Sequence, residues 1–196
     1  MARLDVITGS MFSGKTEELI RRLNRAIHAD KKVLVIKPLL DTRAKKEITA
    51  RRKRRREDTK FEAFINFEAH TVQSFAEIKE LILKHRPDLL AIDEAQFFLE
   101  PWIVDCVREL LDMNENTDFT IIVSGLDTDY LQQPFGQMPH LMAIADTVTK
   151  FSAICFRCKK EAVLTYRKPG SPTEQVVVGD FEMYEARCRA CHKLPE

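Results

Sequence analysis

The run Gly9-Ser10-Met11-Phe12-Ser13-Gly14-Lys15-Thr16 constrains this chain more than any other stretch. It has the phosphate-loop spacing G-x-x-x-x-G-K-[ST]. Its flanks fit the same reading. The apolar run Leu4-Asp5-Val6-Ile7 precedes it as a buried strand, and Leu19, Ile20, Leu23, Ala26 and Ile27 follow at helical spacing. Gly9 and Gly14 let the backbone curl so that its N–H groups face the phosphates. The helix that starts near Lys15 adds its positive dipole end. Lys15 can reach the β- and γ-phosphates, and the Thr16 hydroxyl can bind Mg²⁺. A chain that opens this way is committed to a strand–loop–helix unit with its ligand at the strand's carboxyl end.

The rest of the first three quarters repeats that alternation. Val33-Leu34-Val35-Ile36 is a short buried strand ended by Lys37-Pro38. Phe75, Ile78, Leu81 and Ile82 mark a helix that Arg86-Pro87 stops, and Leu89-Leu90-Ala91-Ile92 is the next strand. A helix through Trp102, Ile103, Val104, Val107, Leu110 and Leu111 follows, with Cys106 as a packing residue. Phe119 to Val123 is a further strand ending at Ser124-Gly125. Strands alternating with helices predict an α/β fold, a parallel sheet with helices on both faces. Ligands gather at the carboxyl ends of such strands, where the phosphate loop, Asp93-Glu94 and the Gly125 turn all fall. Asp93-Glu94 is a Walker-B-type pair: Asp93 can hold Mg²⁺ directly or through water, and Glu94 can act as general base.

The pattern changes after about Thr147. Short strand-like pieces now alternate with Cys155-x-x-Cys158 and Cys188-x-x-Cys191, and a loop rich in Pro and Gly runs from Arg167 to Pro172. Two units are expected, residues 1–146 binding nucleotide and residues 147–196 forming a zinc ribbon. Four thiolates suit tetrahedral Zn²⁺ and leave no open position, so the metal would be structural. The gap between the pairs is longer than in a compact ribbon, which implies an inserted loop. His192 is an alternative ligand to Cys191.

With 196 residues, 44% apolar and 31% charged, the chain has the composition of a soluble globular protein. Its net charge of +1 gives no global pull toward nucleic acid or membrane. No apolar run approaches a membrane span, and an opening strand argues against a signal peptide. The expected location is cytoplasmic, where disulfides rarely persist. The run Arg51-Arg52-Lys53-Arg54-Arg55-Arg56 reads first as a mobile, solvated loop, with contact to nucleic acid or an anionic substrate as its other use.

Taken together, several stretches resemble the type II, cytosolic-type thymidine kinases. They are Met11 to Thr16, Asp41-Thr42-Arg43, Asp93-Glu94-Ala95-Gln96-Phe97-Phe98, Gly125-Leu126-Asp127, Pro134-Phe135-Gly136 and Tyr184-Glu185-Ala186-Arg187-Cys188. The resemblance covers nearly the whole chain except the basic run. It implies a RecA-like P-loop domain, and a zinc-anchored lasso loop that closes over the nucleoside. It implies transfer of the γ-phosphate of ATP to the 5′-hydroxyl of thymidine or deoxyuridine, in a homotetramer inhibited by thymidine triphosphate. By position, Glu94 matches the catalytic base. Gly9 to Thr16, Asp93 to Gln96, Asp41 and Arg43 match the ATP and Mg²⁺ site. Met11, Phe97, Leu126, Tyr130, Phe135, Thr165, Val177, Val178, Gly179 and Tyr184 match the substrate pocket and lasso. The sequence departs from the family after Arg43, where the Arg-rich run replaces a short Ser-His segment. It departs also at Gly179-Asp180, where Gly-Gly is usual, and at Tyr130, where Phe is common. A nucleic-acid-stimulated ATPase would share the phosphate loop, the D-E-A-Q tetrad, the basic run and the ribbon. Helicases of that kind need two RecA-like domains, and this chain has room for one.

Overall fold

Period-two alternation along four buried strands builds the centre of the molecule. A computed structural model describes residues 1–40, 47–48, 67–169, 177 and 181–193. In chain order the elements are β1 (Arg3–Gly9), α1 (Lys15–His28), β2 (Val33–Pro38), β3 (Glu47–Ile48), β4 (Phe67–Glu68), β5 (His70–Val72), α2 (Phe75–His85) and β6 (Leu89–Ile92). Then come a 3-10 turn (Ala95–Phe97), α3 (Trp102–Met113), β7 (Thr120–Gly125), α4 (Met138–Ala143) and β8 (Thr147–Phe151). Four short strands close the chain: β9 (Ala153–Ile154), β10 (Glu161–Ala162), β11 (Leu164–Arg167) and β12 (Tyr184–Arg187).

Six strands form one parallel sheet in the order β5-β2-β6-β7-β1-β8. Leu4 and Val6, Leu34 and Ile36, Leu90 and Ile92, and Ile121 and Val123 face one side, packed with Ile78 of α2, Val107 of α3 and Leu141 of α4. Ile7, Val35, Leu89, Ala91 and Ile122 face the other, against Leu19, Ile20, Leu23 and Ala26 of α1. Helices therefore cover both faces, as the α/β reading predicts. Such strands read as continuous apolar runs because both faces are buried.

Local signals explain the helix ends. Ser74 caps α2 by accepting from Glu77 N at 3.3 Å, while Glu77 Oε2 accepts from Gln73 N at 3.0 Å. Arg86, at φ 46°, ends that helix ahead of Pro87. Cys106 is wholly buried in α3, and burial pushes its thiol up to about 12, with the Glu109 charge adding to the effect. It packs in the core between the sheet and its helices.

The strand β8 begins just past the boundary expected at residue 146, and it pairs in parallel with β1 from Asp5–Thr147 to Gly9–Phe151. The sheet thus takes in the first strand of the expected C-terminal unit. Beyond it, β9 and β10 form one antiparallel pair and β11 and β12 another. The Arg-rich run 51–56 and the residues Asp41, Arg43, Val178, Gly179 and Asp180 lie outside the described residues.

Candidate active site

The phosphate loop takes the shape its glycines were expected to allow. Gly9 (φ 140°) and Gly14 (φ 89°) lie in the left-handed half of the map, and so does Phe12 (φ 63°). A Cβ on Gly9 would meet Phe151 O at 2.2 Å, so only glycine lets β1 and β8 run side by side here. Lys15 opens α1, and its Nζ donates to Ser10 O at 2.7 Å, which holds it over the loop. Ser13 Oγ is buried with no hydrogen-bond partner among the described residues. A hydroxyl in that position suits a phosphate oxygen.

The loop is stitched to the C-terminal lobe. Met11 N donates to Thr165 Oγ1 at 3.0 Å, and Ser10 Oγ donates to Ala162 O at 3.3 Å. Phe12 stacks on Phe181, ring centres 4.0 Å apart and planes 13° from parallel. The sequence names Phe12 as a loop residue but gives no sign of this partner.

The acidic pair follows β6. Asp93 is buried and its N–H donates to Ile36 O at 3.0 Å, which carries β6 one residue further along β2. Glu94 is half-buried and sits at φ 53°, ψ 38°, a left-handed conformation rare for glutamate. Its carboxylate accepts from Gln96 Nε2 at 2.5 Å. Gln96 is itself fully buried, and its Oε1 accepts from Leu126 N at 3.0 Å. Ala95, also fully buried, packs in the core between the sheet and α3.

Beside the loop and the acid lies a cavity lined by Met11, Phe97, Leu126, Tyr130, Phe135, Thr165, Val177 and Tyr184. These are the pocket residues expected from the sequence, apart from Val178 and Gly179, which are not described. Phe97 and Phe135 meet edge to face at 5.9 Å. Two lining residues were not foreseen, Asp129 and Arg167. Asp129 Oδ1 accepts from Leu131 N and Gln133 N, both at 2.9 Å, and so shapes the turn before Phe135. Arg167 lies 3.7 Å over the Tyr130 ring and donates to Tyr184 Oη at 2.9 Å, while Tyr184 Oη donates to Val177 O at 2.7 Å. In the sequence, Arg167 opens a loop rich in Pro and Gly, which disguises its inward role.

Cys155, Cys158, Cys188 and Cys191 converge, with every Sγ within 4.8 Å of the others. Zn–S bonds of about 2.3 Å in a tetrahedron set sulfur atoms about 3.8 Å apart, so the cluster is compatible with zinc. Each knuckle is a tight turn: Lys159 N donates to Cys155 O at 3.0 Å, and Cys191 N to Cys188 O at 3.0 Å. Burial raises the Cys155 thiol, but the N–H groups of Cys158, Cys188 and Arg157 outweigh it and bring it down to about 6. Hydrogen bonding to Cys188 and Cys158 instead pushes Cys191 up to about 12. Four packed thiols share their protons unequally, and a divalent cation would let all four ionise. His192 is not part of the cluster. Its Nε2 lies 3.1 Å from Thr165 O and its Nδ1 lies 3.3 Å from Gln132 Nε2, so both ring nitrogens are engaged under the pocket floor.

A thymidine kinase family model matches residues 2–192. A thymidine kinase of Mesomycoplasma hyopneumoniae (strain 7448) is 44% identical over 97% of this chain and 95% of that protein. One of Metamycoplasma arthritidis (strain 158L3-1) is 39% identical over 96% of this chain and 89% of that protein. The crystal structure of a DNA replication initiation factor shares a TM-score of 0.43 at 14% identity over 76% of this chain and 40% of that one, too slight a likeness to carry an argument. A match across nearly the whole length, joined to a phosphate loop, an acidic pair and a four-cysteine cluster in one chain, places the protein: it belongs to the thymidine kinase family.

Proposed function

We propose that the chain transfers the γ-phosphate of ATP to the 5′-hydroxyl of thymidine, and of deoxyuridine. One observation carries this reading. Met11 belongs to the phosphate loop and Phe97 lies three residues past Glu94, yet both line the same cavity. A planar, apolar ligand held there would lie against the loop at Met11 and against the turn after the acidic pair at Phe97. An aromatic and apolar lining suits a pyrimidine, while Asp129, Thr165 and Arg167 add the few polar groups that orient it.

Phosphoryl transfer needs positioning and charge stabilisation. The loop's N–H groups, the Ser13 hydroxyl and Lys15 would hold the β- and γ-phosphates, and the family resemblance assigns Asp41 and Arg43 to the same role. The Thr16 hydroxyl and the buried Asp93 carboxylate are oxygen donors of the kind Mg²⁺ prefers. When bound, that ion neutralises charge on the phosphates. Glu94 takes the 5′-hydroxyl proton as the oxygen bonds to the γ-phosphorus. The bond from that phosphorus to the β,γ-bridging oxygen breaks, and ADP leaves. Ala95 and Gln96, which follow in the same run, are fully buried.

We infer further that the C-terminal unit holds a structural zinc and carries a lasso, with Val177, Val178 and Gly179 over the nucleoside. The family resemblance supports a cytoplasmic homotetramer inhibited by thymidine triphosphate. Incubating the protein with labelled ATP and thymidine, and separately with ATP and single-stranded DNA, tests the reading. Labelled thymidine monophosphate in the first reaction is expected. DNA-stimulated ATP hydrolysis without nucleoside product would overturn it.

A further inference from the structure

We propose that Gln96 is a positioning residue that orients the Glu94 carboxylate, and that it does not itself contact the nucleotide. This rests on the reading of Glu94 as the base. Three observations fix the glutamine. Its side chain is fully buried, so no ligand reaches it without displacing the core around it. Its Oε1 accepts from Leu126 N at 3.0 Å. An N–H can only be met by an acceptor, so the amide cannot flip, and its NH₂ group must point the other way. There it meets Glu94 Oε2 at 2.5 Å. The backbone around it is equally determined. A Cβ on Gly136 would fall 2.2 Å from Gln96 O, and one on Gly125 would fall 2.7 Å from Gln96 Oε1. Both glycines allow a close approach that packs the glutamine rigidly.

The consequence is chemical. Glu94 sits in a left-handed conformation on a tight turn, and there its carboxylate accepts the Gln96 amide hydrogen bond. One donated bond pins one oxygen and so fixes the plane of the other. A second bond, donated by Leu126 N to Gln96 Oε1, ties the same side chain to a residue of the nucleoside cavity. The base and the pocket wall are thus held in register by one side chain.

The test is a double-mutant cycle with Gln96→Met and Glu94→Gln. Gln96→Met keeps the volume and removes both hydrogen bonds. A misplacement near 1 Å can cost on the order of 10²-fold, so kcat should fall roughly 10- to 100-fold with the ATP KM within a few-fold. In the Glu94→Gln background the same change should cost clearly less, because the base it orients is gone and only the loss of the Leu126 bond remains. An equal fold loss in both backgrounds, or a wild-type kcat for Gln96→Met, would overturn the proposal. A near-normal kcat for Glu94→Gln alone would remove the base assignment itself. If Gln96→Met does not fold, Gln96→Glu decides. It retains an acceptor for Leu126 N but sets a second carboxylate against Glu94, and two carboxylates sharing a site hold a proton to higher pH. The acidic limb of its kcat–pH profile should move to higher pH; an unmoved limb refutes the pairing.

Discussion

Glu94 and Tyr184 divide the candidate site at the scale of the residue. Glu94→Gln keeps the shape of the side chain and removes the proton acceptor. Loss of a general base costs on the order of 10²–10⁴-fold in rate, so kcat should drop by that factor while thymidine and ATP dissociation constants stay within a few-fold. Steady-state kinetics with equilibrium binding checks it, and a near-normal kcat with chemistry rate-limiting would send the search for the base elsewhere in the pocket. Tyr184 acts differently. Its hydroxyl links Arg167 to the backbone at Val177 and so ties β11 to Val177 on the cavity wall. Tyr184→Phe loses both bonds in a buried place, at about 1–3 kcal/mol. Thymidine KM should rise about 10-fold, with ATP KM nearly unchanged. A parallel rise in both would mean that the link serves the whole site.

At the scale of the element, α1 carries the loop's lysine, and its first turn shows how it is held. Glu18 bonds Arg21 at 2.6 Å and Arg22 at 2.8 Å, and Arg22 also reaches Asp5 of β1 at 3.3 Å. The bond from Arg21 chiefly holds the Glu18 carboxyl down, against the opposing effect of burial, to about 2. A depressed acid stabilises the fold above its unfolded value of 4.5, and that contribution is lost as pH falls toward about 2. Glu18→Gln should therefore lower Tm at pH 7 and make a much smaller difference near pH 2; thermal melts across that range measure it. The helix itself was legible, because a phosphate loop announces where it starts and apolar spacing fixes its buried face. Elements of two or three residues, such as β5 (His70–Val72), carry too few positions for any period to show. The helix α4 was missed for a related reason: it has six residues and a proline near its start. Thr147–Phe151 reads with the ribbon in the sequence because three of its residues are polar, and its burial alternates weakly, as on the outer edge of a sheet.

At the scale of the whole molecule, the site residues were legible one by one and their connections were not. Chemistry-bearing residues announce themselves by type and spacing, whereas Thr165 under Met11, or Phe181 on Phe12, joins positions about 150 residues apart or more by contacts that no local pattern encodes. Those contacts bear on what a zinc held by the four cysteines would do. A ribbon that served only the lasso would, on losing zinc, weaken nucleoside binding before ATP binding. Here the ribbon reaches the phosphate loop directly. Thr165 Oγ1 accepts from Met11 N, Ala162 O accepts from Ser10 Oγ, and Phe12 packs with Cys188 and Cys191 against Ala153 and Ala186. Binding energy of a structural zinc is folding energy for the elements it holds. Removing the metal should then loosen the loop and the pocket together. Chelation, or Cys188→Ser, should weaken binding of a non-hydrolysable ATP analogue and of thymidine by comparable factors, each restored when zinc is returned to the chelated wild type. Metal analysis of fresh, active protein should find one zinc per chain. An ATP analogue that still binds normally to the zinc-free protein, when thymidine no longer does, would show that the ribbon supports the nucleoside alone.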